Sequence, residues 1–153
     1  MAGAEVRSAT HDDVSAISAM QRASLVETYA PFLGREAVAD FIGEGNVERY
    51  FEGHWRQSTV ATVDGEIVGV VVLGGTVIDL VWVTPAMRST GIGSALMDTV
   101  ERQAALEGHE VELEVWTVNR RAVDFYERRG FSVDGRTDDP VTGLEKLVMR
   151  KAL

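Results

Sequence analysis

Arg88, Gly91 and Gly93 stand in the spacing Arg-x-x-Gly-x-Gly, between the apolar run Val81-Trp82-Val83 and a stretch that opens with Ile92. Pro85 marks the way out of the apolar run. A glycine-bearing loop that opens a helix gathers backbone N–H groups at one point. The first N–H groups of a helix have no internal partner and carry partial positive charge. The chemistry of such a loop is anion binding, and phosphate suits it. A tight strand-to-helix turn accounts for the glycines equally well. The loop lacks the Lys-Ser/Thr ending of a P-loop. It also follows a β-meander rather than a first βαβ strand, which argues against a dinucleotide fold.

A second constellation lies downstream, Asn119-x-x-Ala122-x-x-Phe125-Tyr126-x-x-x-Gly130-Phe131. Ala122 and Tyr126 are four apart and share a helical face, with Asn119 roughly a turn earlier. An amide, a small gap and a phenol would then face one groove. Asp79 interrupts the apolar run Val77-Ile78-Asp79-Leu80-Val81. A charge there needs a partner or a function, or else points to solvent. Glu112 and Glu114 alternate with core residues and read as surface or cleft-rim charges.

The elements that must hold these residues follow from local pattern. Glu5 to Ala9 forms a short strand. Thr10 then caps a helix whose first turn holds Asp12 and Asp13, where negative charge is favourable. Val14, Ile17, Met20 and Gln21 to Leu25 continue the helical stripe, and Thr28 to Gly34 breaks it. Arg35 to Ile42 and Asn46 to Trp55 are two further helices. Ser58 to Val63 and Glu66 to Leu73 form a hairpin about Asp64-Gly65, and Thr76 to Val83 is a third consecutive strand. Gly91 to Leu106 is a helix with Ile92, Ala95, Leu96, Thr99, Val100 and Gln103 inward and Asp98, Glu101 and Arg102 on the wet side. Gly108 ends it as a C′ residue. Val111, Leu113 and Val115 alternate as in a strand. Asn119 caps a helix to Arg129, closed by Gly130. Phe131 to Val133 and Leu144 to Arg150 are closing strands. This order describes an α/β or α+β layer with a mixed sheet.

The chain has 153 residues, enough for one domain with a real core, and no repeat or linker is visible. Its net charge of −9 argues against general nucleic-acid binding, which needs a basic face. There is no cysteine, so disulfides and thiolate chemistry are excluded. His11, His54 and His109 show no ligand spacing, so no metal is expected. No apolar run is long enough to span a bilayer, and the first residues lack a signal-peptide pattern; the expectation is a cytoplasmic protein with no membrane partner.

Taken together, Arg88-Ser89-Thr90-Gly91-Ile92-Gly93-Ser94-Ala95-Leu96 and Asn119 to Phe131 resemble the GNAT (Gcn5-related N-acetyltransferase) superfamily. Val83-Thr84-Pro85 is similar to the family's usual entry into the loop. The resemblance covers Glu66 to Phe131 closely, and the helices from His11 to Trp55 by placement alone. It implies one N-acetyltransferase domain over residues 1–153. The implied fold has a mixed, mostly antiparallel sheet splayed between its fourth and fifth strands, with helices on both faces.

The resemblance also implies roles. Acetyl-CoA is the co-substrate, and its pantetheine arm would pair with backbone groups of Val81, Trp82 and Val83. An N–H near Val81 would polarise the thioester carbonyl. The N–H groups of Arg88, Ser89, Thr90, Gly91, Ile92, Gly93 and Ser94 would hold the pyrophosphate. Asn119 would bond the pantetheine arm, and Tyr126 would protonate the departing thiolate. Asp79 is the first candidate for the base that deprotonates an amine acceptor. Each role has a rival: Tyr126 as a core aromatic, Asn119 as a helix cap, Arg88 as a solvated charge, Gly93 as a packing residue, Asp79 as a solvent-facing strand residue.

The acceptor side is expected in the N-terminal third, around Glu27, Tyr29 and Phe32. Aromatics and acids there suit a cationic amine of a small molecule or peptide, or simply pack inward and face water. Transfer would be direct, without a covalent enzyme intermediate. The alternatives are a non-catalytic acyl-CoA-binding module of the same fold and an unrelated phosphate binder. A homodimer is compatible with the family.

Overall fold

The computed structural model describes residues 3–153. Strand β1 (Glu5–Ser8) leads into a single 3₁₀ turn at His11–Asp13, then helices α1 (Val14–Leu33), α2 (Arg35–Gly43) and α3 (Asn46–His54). Strands β2 (Ser58–Val63), β3 (Glu66–Gly74) and β4 (Val77–Val83) follow. After a 3₁₀ turn at Pro85–Met87 come α4 (Ile92–Ala104), β5 (Glu110–Trp116), α5 (Arg120–Arg128), β6 (Ser132–Asp138) and β7 (Glu145–Ala152). Among the described residues the sheet has seven strands, in the order β1-β2-β3-β4-β5-β7-β6. β1–β2, β2–β3, β5–β7 and β6–β7 are antiparallel, and β4 meets β5 in parallel at Val77↔Glu112 and Ile78↔Leu113. This is a mixed, mostly antiparallel α/β arrangement.

The chain forms two compact units. The first holds the residues up to Leu73 together with Leu80–Val100; the second holds Gly74–Asp79 and Glu101–Leu153.

In the first unit, β2 and β3 turn about Asp64 and Gly65, both with positive φ (52° and 80°). That is the backbone a tight two-residue hairpin needs, and Asp-Gly supplies it. Val60, Val70, Val72 and Trp82 face Val14, Ile17 and Leu25 of α1, Val38 of α2, and Val47 and Phe51 of α3. Full burial of Ile17 and Phe51 contributes about 1.5–3 kcal/mol each. The opposite face of β3 receives α4 at Gly69. A Cβ there would lie 3.0 Å from Leu96 Cδ1 and 3.1 Å from Ile92 Cγ2.

The structure corrects several sequence expectations about the helices. The stretch from Thr28 to Gly34 does not break the first helix. α1 runs on to Leu33 with Pro31 inside it and ends where Gly34, at φ 83°, donates its N–H to Ala30 O. Pro31 is exposed and sits in the last turn, where the N–H it lacks costs the helix only one bond near its end. Glu101 is not on the wet side of α4. Its side chain is 12% exposed and lies between Arg129 (2.9 Å) and Lys151 (2.5 Å) in the second unit. The buried positions of α4 include Met97 and Ala104, whereas Gln103 is exposed. Gly108 donates its N–H to Ala104 O as a helix-ending residue, but its φ is not left-handed. Its lack of a side chain serves close approach: a Cβ would stand 3.1 Å from Thr76 Cγ2.

In the second unit, Val111, Leu113 and Val115 alternate inward on β5. Leu113 pairs with Met149 and Val115 with Leu147, both buried residues of β7. The edge strand β6 carries a bulge between Val133 and Gly135. Bulges interrupt an edge that would otherwise template further pairing.

Candidate active site

The loop that opens α4 belongs to the first unit. Its base is set by β3, where Thr62 pairs with Ile67 but Ala61 pairs with Gly69. Val68 is the extra residue of that bulge, and its carbonyl accepts the Thr84 N–H at 2.9 Å. The end of β4 is thereby fixed. Met87 N–H then bonds Thr84 O at 2.9 Å and Arg88 N–H bonds Pro85 O at 3.2 Å, closing the 3₁₀ turn. The Thr90 hydroxyl donates to Met87 O.

Ser89 and Gly91 both have positive φ, 64° and 90°. Such reversals turn successive N–H groups toward one side and create an anion-binding concavity. Ala95 N–H bonds Gly91 O at 3.0 Å. The N–H groups of Ile92, Gly93 and Ser94 therefore precede the first full turn, where an α-helix offers no internal acceptor. A Cβ on Gly91 would meet no heavy atom within 4 Å, so that side of the loop stands open. The residues fit a phosphate-bearing group such as the pyrophosphate of CoA.

Arg88 is not a solvated loop charge. Its Nε donates to Val83 O at 3.3 Å and its Nη2 to Thr28 Oγ1 at 3.2 Å. One turn earlier on α1, Ser24 Oγ accepts from Trp82 Nε1 at 3.1 Å. The Tyr29 ring meets Trp82 edge-on at 5.4 Å, and Phe32 lies 6.5 Å from Tyr29. Burial pushes the Tyr29 phenol up to about 12, and Arg88 opposes part of that rise. Trp82, Val83, Arg88, Tyr29 and Phe32 thus lie in one neighbourhood. Glu27 does not join them through its carboxylate: it is held by Arg35 at 2.7 Å and its side chain is 71% exposed. That bond lowers its pKa below the ordinary carboxylate value.

The other candidates lie in the second unit. Asp79 is an exposed residue of β4, following the buried Ile78. Ile78 pairs with Leu113; the next residues of the two strands, Asp79 and Glu114, are both exposed. Asn119 is the cap of α5, its Oδ1 accepting the Ala122 N–H at 3.4 Å. Tyr126 is only 8% exposed and contacts Phe125 and Phe131 edge-on, at 5.4 and 5.7 Å. Gly130, at φ 99°, ends the helix, and Phe131 N–H returns to Tyr126 O.

Sequence reasoning missed Ser24, Thr28 and Gly69. The signals were present. Ser24 and Thr28 are hydroxyl residues one turn apart on the helix, and Gly69 interrupts a run of β-branched residues.

Among the described residues no group of three or more His, Asp or Glu is placed to hold a metal ion, and no helix is long and apolar enough to cross a membrane.

Comparison with known proteins gives the family. The chain belongs to the acetyltransferase (GNAT) family, whose profile matches residues 8–153. Among curated proteins it is similar to the peptidyl-lysine N-acetyltransferase YjaB of Salmonella typhimurium, 28% identical over 140 residues, covering 87% of this chain and 86% of that one. Among solved structures, the PaiA N-acetyltransferase of Thermoplasma acidophilum, in complex with coenzyme A, is 20% identical with a TM-score of 0.83, covering 99% of each chain. A GNAT-family protein of Rhodopseudomonas palustris is 24% identical with a TM-score of 0.81, covering 100% of this chain and 98% of that one. At these identities the solved structures show a shared fold.

Proposed function

We propose that this chain is one N-acetyltransferase domain that moves an acetyl group from acetyl-CoA to a primary amine by direct attack. The observation that carries the reading is the Arg88–Ser94 loop, with its two left-handed residues and its open side at Gly91. Bound there, acetyl-CoA supplies an activated thioester. The loop N–H groups and the start of α4 bind its pyrophosphate. Backbone groups of Val81 to Val83 pair with the pantetheine arm, and an N–H near Val81 polarises the reacting carbonyl. Asn119 bonds the arm while capping α5.

An amine is protonated at neutral pH and must lose a proton before it attacks. Asp79, an exposed carboxylate of β4, takes that role, directly or through water. Tyr126 returns a proton to the leaving thiolate. Tyr29 and Phe32 contribute an aromatic wall for the acceptor; Glu27, held by Arg35, is left out of it. The similarity to a protein named for peptidyl-lysine acetylation makes a lysine side chain the first acceptor to try.

One observation favours a second reading, a non-catalytic acyl-CoA-binding module. Tyr126 is packed between two aromatic rings, as a purely structural residue would be. Turnover separates the two. Acetyl-CoA and a panel of lysine peptides, polyamines and free amino acids are supplied, and released CoA thiol is followed. Amine-dependent release lost in Tyr126→Phe, with CoA binding retained, supports the transferase. CoA binding without release from any amine supports the module.

A further inference from the structure

We propose that Thr28 is a positioning residue for the CoA loop, holding the Arg88 guanidinium at the base of the loop so that backbone N–H groups, rather than the guanidinium, present themselves to the pyrophosphate. This rests on the acetyl-CoA reading above and extends it to α1. The Thr28 hydroxyl accepts from Arg88 Nη2 at 3.2 Å, while Nε of the same guanidinium donates to Val83 O at 3.3 Å. One planar cation therefore ties the last residue of β4 to a helix 60 residues earlier in the chain. A guanidinium holds such a fork with little loss of freedom, because its donors are fixed in a plane.

Ser24 reinforces the arrangement. It accepts the Trp82 indole N–H at 3.1 Å, so two hydroxyls one turn apart on α1 hold β4 and the loop at two points. Ser24 is buried and Thr28 half-buried. The tie matters to the loop because Ser89, a residue with a side chain, is held at positive φ beside Gly91. A non-glycine residue such as Ser89 stays in that region only when its surroundings over-determine it. The 3₁₀ turn fixes the loop from within, and Arg88 fixes it from outside.

This predicts coupling between a helix residue and anion binding. Amide hydrogen exchange on the ligand-free protein reads the tie directly. In Thr28→Val, exchange at the bonded amides that frame the loop, Met87, Arg88 and Ala95, is expected to rise about tenfold, as loss of one charge-assisted hydrogen bond would give. Exchange in β2 and β3 stays as in the wild type. Thr28→Ser, which keeps the acceptor oxygen, restores protection. CoA affinity, measured by calorimetry with CoA itself, falls in Thr28→Val and recovers in Thr28→Ser. In an Arg88→Gln background, Thr28→Val adds no further loss. Unchanged exchange at Met87, Arg88 and Ala95 in Thr28→Val overturns the proposal, as does an additive double substitution. A wild-type protein that fails to bind CoA overturns the acetyl-CoA reading and this role with it. Normal wild-type binding with no loss in Thr28→Val overturns this role alone.

Discussion

Gly69 stands directly beneath Leu96: a methyl group added to its α-carbon would lie 3.0 Å from Leu96 Cδ1, with Ile92 Cγ2 at 3.1 Å and Trp82 O at 3.3 Å. The start of α4 rests on β3 because this position has no side chain. Leu96 and Ile92 can shift slightly, but the Trp82 carbonyl belongs to the strand and cannot. Gly69→Ala is therefore expected to cost about 1–2 kcal/mol through overpacking. It should also weaken CoA binding, since α4 carries half the loop. Urea unfolding and calorimetry check both. A substitution that leaves stability and affinity unchanged would show that α4 does not depend on this contact.

Glu101 joins three elements of the second unit. Its two oxygens bond Arg129 at 2.9 Å and Lys151 at 2.5 Å, and all three side chains are largely buried. Removing the carboxylate takes away the anion that both cations bond. Glu101→Ala is expected to lose about 2–3 kcal/mol, below the full penalty for a deeply buried pair because Lys151 retains some water. Chemical unfolding measures this directly; a loss under half a kilocalorie, as in an ordinary surface pair, contradicts it.

Asp13 sets an acid limit on the fold. The Arg7 guanidinium, bonded at 2.7 and 3.0 Å, holds its carboxyl at about 2, below the ordinary 3.8, with the Thr10 N–H assisting. A depressed folded pKa means that the stabilisation is present above about pH 4 and is lost as pH falls toward 2. Arg7 is substantially solvated, so screening reduces the effect to about 1 kcal/mol. Asp13→Asn should remove that increment at pH 7 and flatten the stability profile between pH 4 and 2. An unchanged profile would contradict the pairing.

Tyr29 gives a signal at the alkaline end. Burial raises its phenol to about 12 from an ordinary 10. A raised folded pKa means its contribution is complete below about pH 10 and disappears as pH rises through 12. Ultraviolet titration of phenolate should show a component ionising near pH 12 that is absent from Tyr29→Phe. Loss of a component near pH 10 in Tyr29→Phe, with nothing changed near pH 12, would place Tyr29 in solvent.

Much of this arrangement was legible in the chain. Asp64-Gly65 specified its hairpin because few residues tolerate two left-handed positions, and the alternation through Val111, Leu113 and Val115 specified β5. The Arg88–Leu96 and Asn119–Phe131 stretches carried the family. What was not legible came from partners distant in sequence. Pro31 looked like a helix breaker because its position in the last exposed turn depends on where Gly34 ends α1. Glu101 looked solvent-facing because helical periodicity knows nothing of Arg129 and Lys151. Arg88 reads from the sequence as part of the pyrophosphate site or as a loop charge, and its tie to Thr28 is invisible there because Thr28 lies on another element. Asp79, Asn119 and Tyr126 stand where their elements were expected, and their chemical roles are matters for turnover measurements.

The most direct measurement is the rate of CoA thiol release from acetyl-CoA, with and without a lysine-containing peptide or another primary amine. The expected result is saturable, amine-dependent release by the wild-type protein, lost in Tyr126→Phe while CoA still binds. Failure to bind acetyl-CoA, or binding with no release from any amine tried, would contradict acetyl transfer by this chain.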